Sequence, residues 1–181
     1  MSAEANKKTD EQREKENRLA SLYDEYFDKI ARYIYVRLGD RNEAENLAGE
    51  VFVKALESLK SYKERGIPMQ AWLFRIAHNV SVDYLRKRGR IATVPINGVP
   101  IEAREDPVAT AEKSIEMKRV NEAMQKLTPE QREVVRLRFF GDLSSKEVGA
   151  MLSKSDGAVR EMQRASIEKL RRLLASEVPD F

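Results

Sequence analysis

The sequence predicts an all-α protein made of two small helical domains joined by a flexible linker. Three observations carry this reading. Apolar residues recur at three- and four-residue intervals from Leu19 to Leu59 and again from Leu127 to Leu174, the period of helices with one buried face. Helix-start signals stand just ahead of these runs: Asp40 with Glu43, Thr128 with Pro129 and Gln131, Ser144 with Glu147, and Ser155. Each places a side-chain oxygen where it can accept from the first turn's backbone N–H groups. Between the two halves, Gly89, Pro95, Gly98, Pro100 and Pro107 interrupt a stretch with neither helical nor strand period, the composition of a linker.

Residues 1–18 are dense in Lys, Glu, Asn and Gln without apolar periodicity and are expected to form a disordered tail. The first helix then carries Leu19, Tyr23, Tyr26, Phe27, Ile30, Ile34 and Leu38 on one face, and Gly39 ends it. The second follows from Asp40 with an apolar stripe of Leu47, Ala48, Val51, Phe52, Ala55, Leu56 and Leu59 and an acidic opposite face. Gly66 and Pro68 make residues 61–70 a loop, and a third helix is expected from about Ala71 to Lys87. The domains are therefore drawn at 19–90 and 113–176, with residues 91–112 as linker. A short helix from about Ala109 to Lys126 opens the second domain, and three capped helices complete it.

Of the 181 residues, 41% are hydrophobic and 35% charged, enough for packed cores under a wide wetted surface. No apolar run approaches the roughly 20 residues of a membrane span, and the N-terminus lacks a secretory pattern, so a cytoplasmic protein without membrane insertion is expected. The chain has no cysteine and one histidine. That composition excludes disulfides and thiolate chemistry and leaves no metal-ligand or catalytic set; no cofactor and no small-molecule substrate are expected. His78, a lone histidine, is assigned no chemistry. The net charge is only +3, but it is segregated: Ala71 to Arg90 carries Arg75, Arg86, Lys87, Arg88 and Arg90 against Asp83 alone, and Val99 to Glu116 carries Glu102, Glu105, Asp106, Glu112 and Glu116 against Arg104 and Lys113. Such segregation suits a polyanionic partner.

A short helix Ser145–Leu152, a turn at Ser153 and Lys154 and a longer helix from Asp156 have the spacing of a helix-turn-helix. Val148, Met151 and Leu152 would pack on Val159, Met162 and Leu170, with Gly149 at the close approach. Arg160, Gln163, Arg164 and Lys169 would then face outward, with donors suited to guanine and adenine edges. A plain three-helix bundle with a solvated basic face fits the same spacing.

The stretch from Trp72 to Arg90 holds the only tryptophan and histidine. At 100 degrees per residue, Leu73, Ile76, Ala77, Val80 and Tyr84 form a core stripe, while Trp72, Arg75, Asn79, Asp83 and Arg86 form another roughly 110 degrees away. An aromatic plane in line with an amide and two guanidiniums suits unpaired bases, and the Tyr62–Met69 loop would help hold a base turned out of a duplex. A large core tryptophan and a basic helix end that favours the dipole account for the same residues.

Three blocks, "NEAENLAGEVFVKALESLKSY", "AWLFRIAHNVSVDYLRKRGR" and "LTPEQREVVRLRFFGDLSSKEVGAMLSKSDGAVREMQRASIEKLRRLL", resemble in order the extracytoplasmic-function sigma factors of bacterial RNA polymerase, which keep only sigma regions 2 and 4. The resemblance implies a sigma region 2 bundle and a sigma region 4 helix-turn-helix, with no enzymatic activity. It implies that the second helix docks on the clamp helices of the largest polymerase subunit through Asp40, Glu43, Glu45, Asn46 and Glu50. It gives Tyr62, Lys63, Trp72, Arg75 and Asn79 to melting of the minus-ten element, with Arg86, Lys87 and Arg88 on phosphates. The minus-thirty-five element would be read by Arg160, Gln163 and Arg164, with Lys154 and Ser155 near the DNA backbone. Core polymerase, promoter DNA and an anti-sigma factor are the implied partners. Glu161, Ala165 and Ser166 depart from the arginine-rich recognition helices of many members, and Ser153 replaces a frequent turn glycine. Two rival readings are a free-standing helix-turn-helix regulator acting on duplex DNA without polymerase, and an enzyme acting on nucleic acid.

Overall fold

The computed structural model describes residues 2–92 and 111–175, all of whose regular structure is helical. The chain divides into two units, Met1–Thr93 and Val94–Phe181. Most of the expected linker, including Glu102, Glu105 and Asp106, lies outside the described residues.

The first unit consists of α1 (Ser2–Leu38), α2 (Arg41–Ser58), a single 3-10 turn (Leu59–Ser61) and α3 (Met69–Ala92). Gly39 breaks α1 with φ +78, a left-handed conformation that costs glycine little, and its N–H donates to the Tyr35 carbonyl at 2.7 Å. Asp40 then caps α2 by accepting from the Glu43 N–H at 3.1 Å. The core comes from all three helices and the 3-10 turn: Ile30, Tyr33 and Ile34; Val51 and Ala55, with Leu59 of the turn; and Leu73, Phe74 and Ala77, all fully buried. Phe74 stands edge-on to Tyr33, with ring centroids 5.4 Å apart. Burying each large apolar side chain of this kind contributes about 1.5–3 kcal/mol.

Four expectations are corrected here. The expected tail is helical from Ser2, because its Lys, Glu, Gln and Ala residues are strong helix formers and pair along the helix, as Lys15 does with Glu11 at 3.2 Å. The third helix runs two residues further at its start and through Ala92 at its end. Leu56 and Tyr23, read as core, are 59% and 46% exposed. Tyr33, absent from the predicted stripe, is completely buried; its hydroxyl lies 3.4 Å from His78 Nδ1 and accepts from Arg37 at 3.2 Å. The same Arg37 lies 3.2 Å from His78 Nδ1, and because a guanidinium only donates, that ring nitrogen is the acceptor. His78 is thus part of a structural polar cluster.

The second unit consists of α4 (Ala111–Gln125), α5 (Pro129–Val135), which runs into one π-helical turn (Arg136–Phe140), α6 (Ser145–Leu152) and α7 (Asp156–Ala175). Both capping boxes predicted in this unit form in full, whereas Asp40 and Glu43 make only the cap bond from the Glu43 N–H. Thr128 and Gln131 exchange bonds of 3.2 and 3.1 Å, and Ser144 and Glu147 exchange bonds of 3.2 and 2.6 Å. Met124, Leu127 and Val135 make a buried cluster onto which Val120 and Leu170 pack, while Val134, Leu137, Leu143, Val148 and Val159 are buried besides. The π turn was not foreseen; it leaves Phe139 53% exposed and is followed by Asp142 at φ 55.

Candidate nucleic-acid interface

In the first unit the loop between the 3-10 turn and α3 is tied down at both ends. The Tyr62 hydroxyl donates to the Ile67 carbonyl at 3.0 Å, across the Gly66 turn at φ +77, and the Trp72 N–H donates to the Pro68 carbonyl at 3.0 Å. Arg18 of α1 holds the loop from outside through Glu64 at 3.0 Å. Tyr62 is only 6% exposed, and its ring packs against that of Trp72, at 4.7 Å between centroids and 38° between planes. Burial first, and then the Glu64 carboxylate, push the Tyr62 hydroxyl's pKa up, with Arg18 pulling back.

Trp72 itself is half-buried, while Lys63, Arg75, Asn79, Arg86, Lys87 and Arg88 are exposed. The stripe from Trp72 through Asn79 to Arg86 therefore reaches solvent along one line of α3, beside the core stripe of Leu73, Ala77 and Val80. Its last guanidinium is braced by Asp83 at 2.9 Å. Asn79 and Asp83 also border a shallow depression whose far wall is Lys54, Glu57 and Ser58 of α2.

On α2, Glu45, Asn46 and Glu50 are exposed and Asp40 and Glu43 half-exposed. Glu45 pairs with Arg41 at 3.0 Å and Glu50 with Lys54 at 3.3 Å. Two residues that the sequence reading missed share this face: Val53 and Leu56, 56% and 59% exposed. Their phase on the wheel was the available signal, since Leu56 lies about 100 degrees from the centre of the buried stripe and Val53 nearly opposite it.

In the second unit α6 and α7 meet as a helix-turn-helix. Ser153 caps α6 in the left-handed region at φ 56, and the Lys154 N–H donates to the Gly149 carbonyl at 2.9 Å. Ser155 caps α7 by accepting from the Ala158 N–H at 3.1 Å. Lys154 reaches Glu130 at 3.2 Å, and Ser145 donates to Asp156, joining the starts of the two helices. Arg160 and Arg164 stand on the exposed face of α7 with Gly157 and Glu161. Arg160 pairs with Asp156 at 2.6 Å; Arg164 grips both oxygens of Glu161 at 3.1 and 2.6 Å, with Glu168 at 3.7 Å beyond. The hydrogen bond first, and then the opposite charge, lower the Glu161 pKa and raise that of Arg164. Gln163 is half-buried, its Oε1 accepting from Arg138 Nε at 2.8 Å. Arg138 also donates to the Leu143 carbonyl, so Gln163 belongs to the packing of the π turn on α7 and sits at the margin of the outward face. Lys169 is likewise engaged, donating to the Lys126 carbonyl at 2.6 Å.

Among the described residues no group of His, Cys, Asp or Glu is arranged to hold a metal, and no helix is long and apolar enough to cross a membrane.

Residues 22–91 match the family model described as Sigma-70 region 2, and residues 123–172 match that of Sigma-70, region 4. The chain is 33% identical over 159 residues to the ECF RNA polymerase sigma factor BldN of Streptomyces coelicolor, which covers 86% of this chain and 60% of that protein. It is 31% identical over 148 residues to SigD of Mycobacterium tuberculosis, another ECF RNA polymerase sigma factor, covering 78% of this chain and 70% of SigD. Among solved structures, the sigma factor RpoE of Bartonella quintana, in complex with the anti-sigma factor NepR, superposes with a TM-score of 0.59 at 21% identity, covering 88% of this chain and 98% of that one. CnrH, in complex with the cytosolic domain of CnrY, gives 0.58 at 23% identity, covering 90% and 88%. At these identities the two structures establish a shared fold.

Proposed function

The chain belongs to the sigma-70 family, and on that basis we propose that it is an alternative sigma factor that binds core RNA polymerase and directs initiation at its own promoters, without catalysis of its own. The observation that carries the reading is that one chain matches regions 2 and 4 in order, with a solvent-reaching Trp72–Asn79–Arg86 line in the first and exposed arginines on α7 in the second. The half-buried Trp72, packed on Tyr62, supports a stacking role toward an unpaired base.

In this reading melting is differential binding. An unpaired base gains a stacking partner in Trp72, worth about 1–3 kcal/mol, and hydrogen bonds from Asn79 and Lys63 that a paired base cannot make. Tyr62 acts through Trp72 by fixing its plane. Arg75, Arg86, Lys87 and Arg88 contact phosphates, an electrostatic contribution that fades with salt. Arg160 and Arg164 read base edges in the minus-thirty-five element, with Gln163 at the margin and Lys154 and Ser155 near the backbone.

Polymerase docks on the outward face of α2. There Val53 and Leu56 supply a desolvated centre, and Asp40, Glu43, Glu45, Asn46 and Glu50 a polar rim that orients the encounter. The protein works in the cytoplasm, where polymerase and promoter DNA are, and an anti-sigma factor is its natural regulator. Reconstitution with core polymerase on genomic fragments tests the function. Transcripts starting at defined promoters are expected, and a chain that binds duplex promoter DNA tightly but never engages core polymerase would establish the free-standing regulator instead.

A further inference from the structure

Glu161 stands in the second turn of α7, between the two arginines of the exposed face. It and Arg164 are 65% and 67% exposed, where an ion pair contributes little to stability. The geometry is nonetheless specific. Arg164 presents Nε and Nη2 to the two carboxylate oxygens, the two-pronged arrangement that fixes the plane of a guanidinium. On the surface of a helix-turn-helix such a unit offers acceptors and donors side by side. In the major groove the donors are the exocyclic amines of cytosine and adenine, while guanine shows two acceptors, O6 and N7. A carboxylate therefore meets repulsion at guanine and at the thymine carbonyl, and a guanidinium meets its best partner at guanine.

Resting on the promoter-reading function above, we propose that Glu161 and Arg164 act as one unit that reads a single cytosine–guanine pair of the upstream promoter element, Glu161 accepting from the cytosine amine and Arg164 donating to guanine. Glu161 is then a specificity-determining residue. Its negative charge also disfavours non-specific seating on phosphates, so it removes affinity for wrong sequences while adding discrimination for the right one. Asp156, by holding Arg160 at 2.6 Å, leaves the neighbouring arginine turned toward the helix start and out of the way of this unit.

The test uses the full-length chain with core polymerase on a promoter library randomised through the upstream element. The wild type is expected to favour cytosine–guanine at one position by about tenfold or more. Glu161→Gln, which can both donate and accept, should move that one preference toward adenine–thymine. Glu161→Ala and Arg164→Lys should each flatten it while leaving the other positions as they were. A Glu161→Ala protein with the wild-type base profile, or with all sequences transcribed better by the same factor, overturns the proposal and leaves the promoter-reading function standing. A wild-type chain that transcribes nothing from the library overturns both. Unchanged helical content by circular dichroism shows that the variants are folded.

Discussion

A methyl group built on Gly149 would lie 2.6 Å from the carbonyl oxygen of Lys154. The obstruction is backbone, so no side chain can turn away to relieve it. Gly149→Ala therefore has to push α6 off the turn that leads into α7. Overpacking of this kind costs about 1–3 kcal/mol, against which better helix propensity returns up to about 1 kcal/mol. A lowered denaturation midpoint of the second unit is expected, together with weakened binding to the upstream element; a variant as stable as the wild type would show that the turn is not held as described.

Ser153 carries the opposite opportunity. At φ 56 it occupies a conformation that costs a non-glycine residue about 1–2 kcal/mol, of which glycine's extra freedom when unfolded takes back about 0.5–1 kcal/mol. Ser153→Gly should stabilise the second unit by about 0.5 kcal/mol, and Ser153→Val should destabilise it by more than that, as read by chemical denaturation. Equal stability of the two variants would contradict the left-handed cap.

In the proposed melting function, Trp72 and Tyr62 divide one task between them. Trp72→Ala removes the stacking plane and should slow open-complex formation about tenfold or more while leaving polymerase affinity near wild type. Tyr62→Phe keeps the ring but loses the bond to Ile67, worth about 1 kcal/mol, so it should give a smaller defect of the same kind. Permanganate reactivity of unpaired thymines measures the opening, and co-purification with core polymerase measures docking. Equal losses in both assays for Trp72→Ala would remove it from melting.

On α2 the apolar pair should outweigh the charges. Leu56→Asp and Val53→Asp, both at exposed positions, leave the fold intact and should reduce polymerase affinity tenfold or more. Glu45→Ala, losing one exposed ion pair, should change affinity by about 1 kcal/mol or less. Measured affinities for core polymerase in the reverse order would place the energetic centre of docking in the acidic rim.

Raising ionic strength should weaken duplex binding with a slope that Lys87→Ala or Arg88→Ala lowers by about one each, as expected for phosphate contacts. Titrations of the holoenzyme on promoter DNA at several salt concentrations give that slope directly. A slope that neither substitution alters would take these residues off the phosphates.

Much of this protein was legible from local chemistry. Capping boxes at Thr128 and Ser144, the stop at Gly39, the cap at Ser155 and the small residue at Gly149 are decided within a few residues, because the partners are a turn away along the same chain. The core stripe of α3 was equally readable, since helical period alone separates Leu73 and Ala77 from Asn79.

What the tertiary structure alone decided is what surrounds each candidate side chain. Tyr62 packs against Trp72, and Gln163 accepts from Arg138, a residue 25 positions away. Leu56 looked like core and is on the surface, while Tyr33 was overlooked and is the centre of a buried cluster. The physical reason is the same in each case. Periodicity fixes the direction in which a side chain leaves its own helix, whereas burial and hydrogen bonding depend on which other helix stands in that direction.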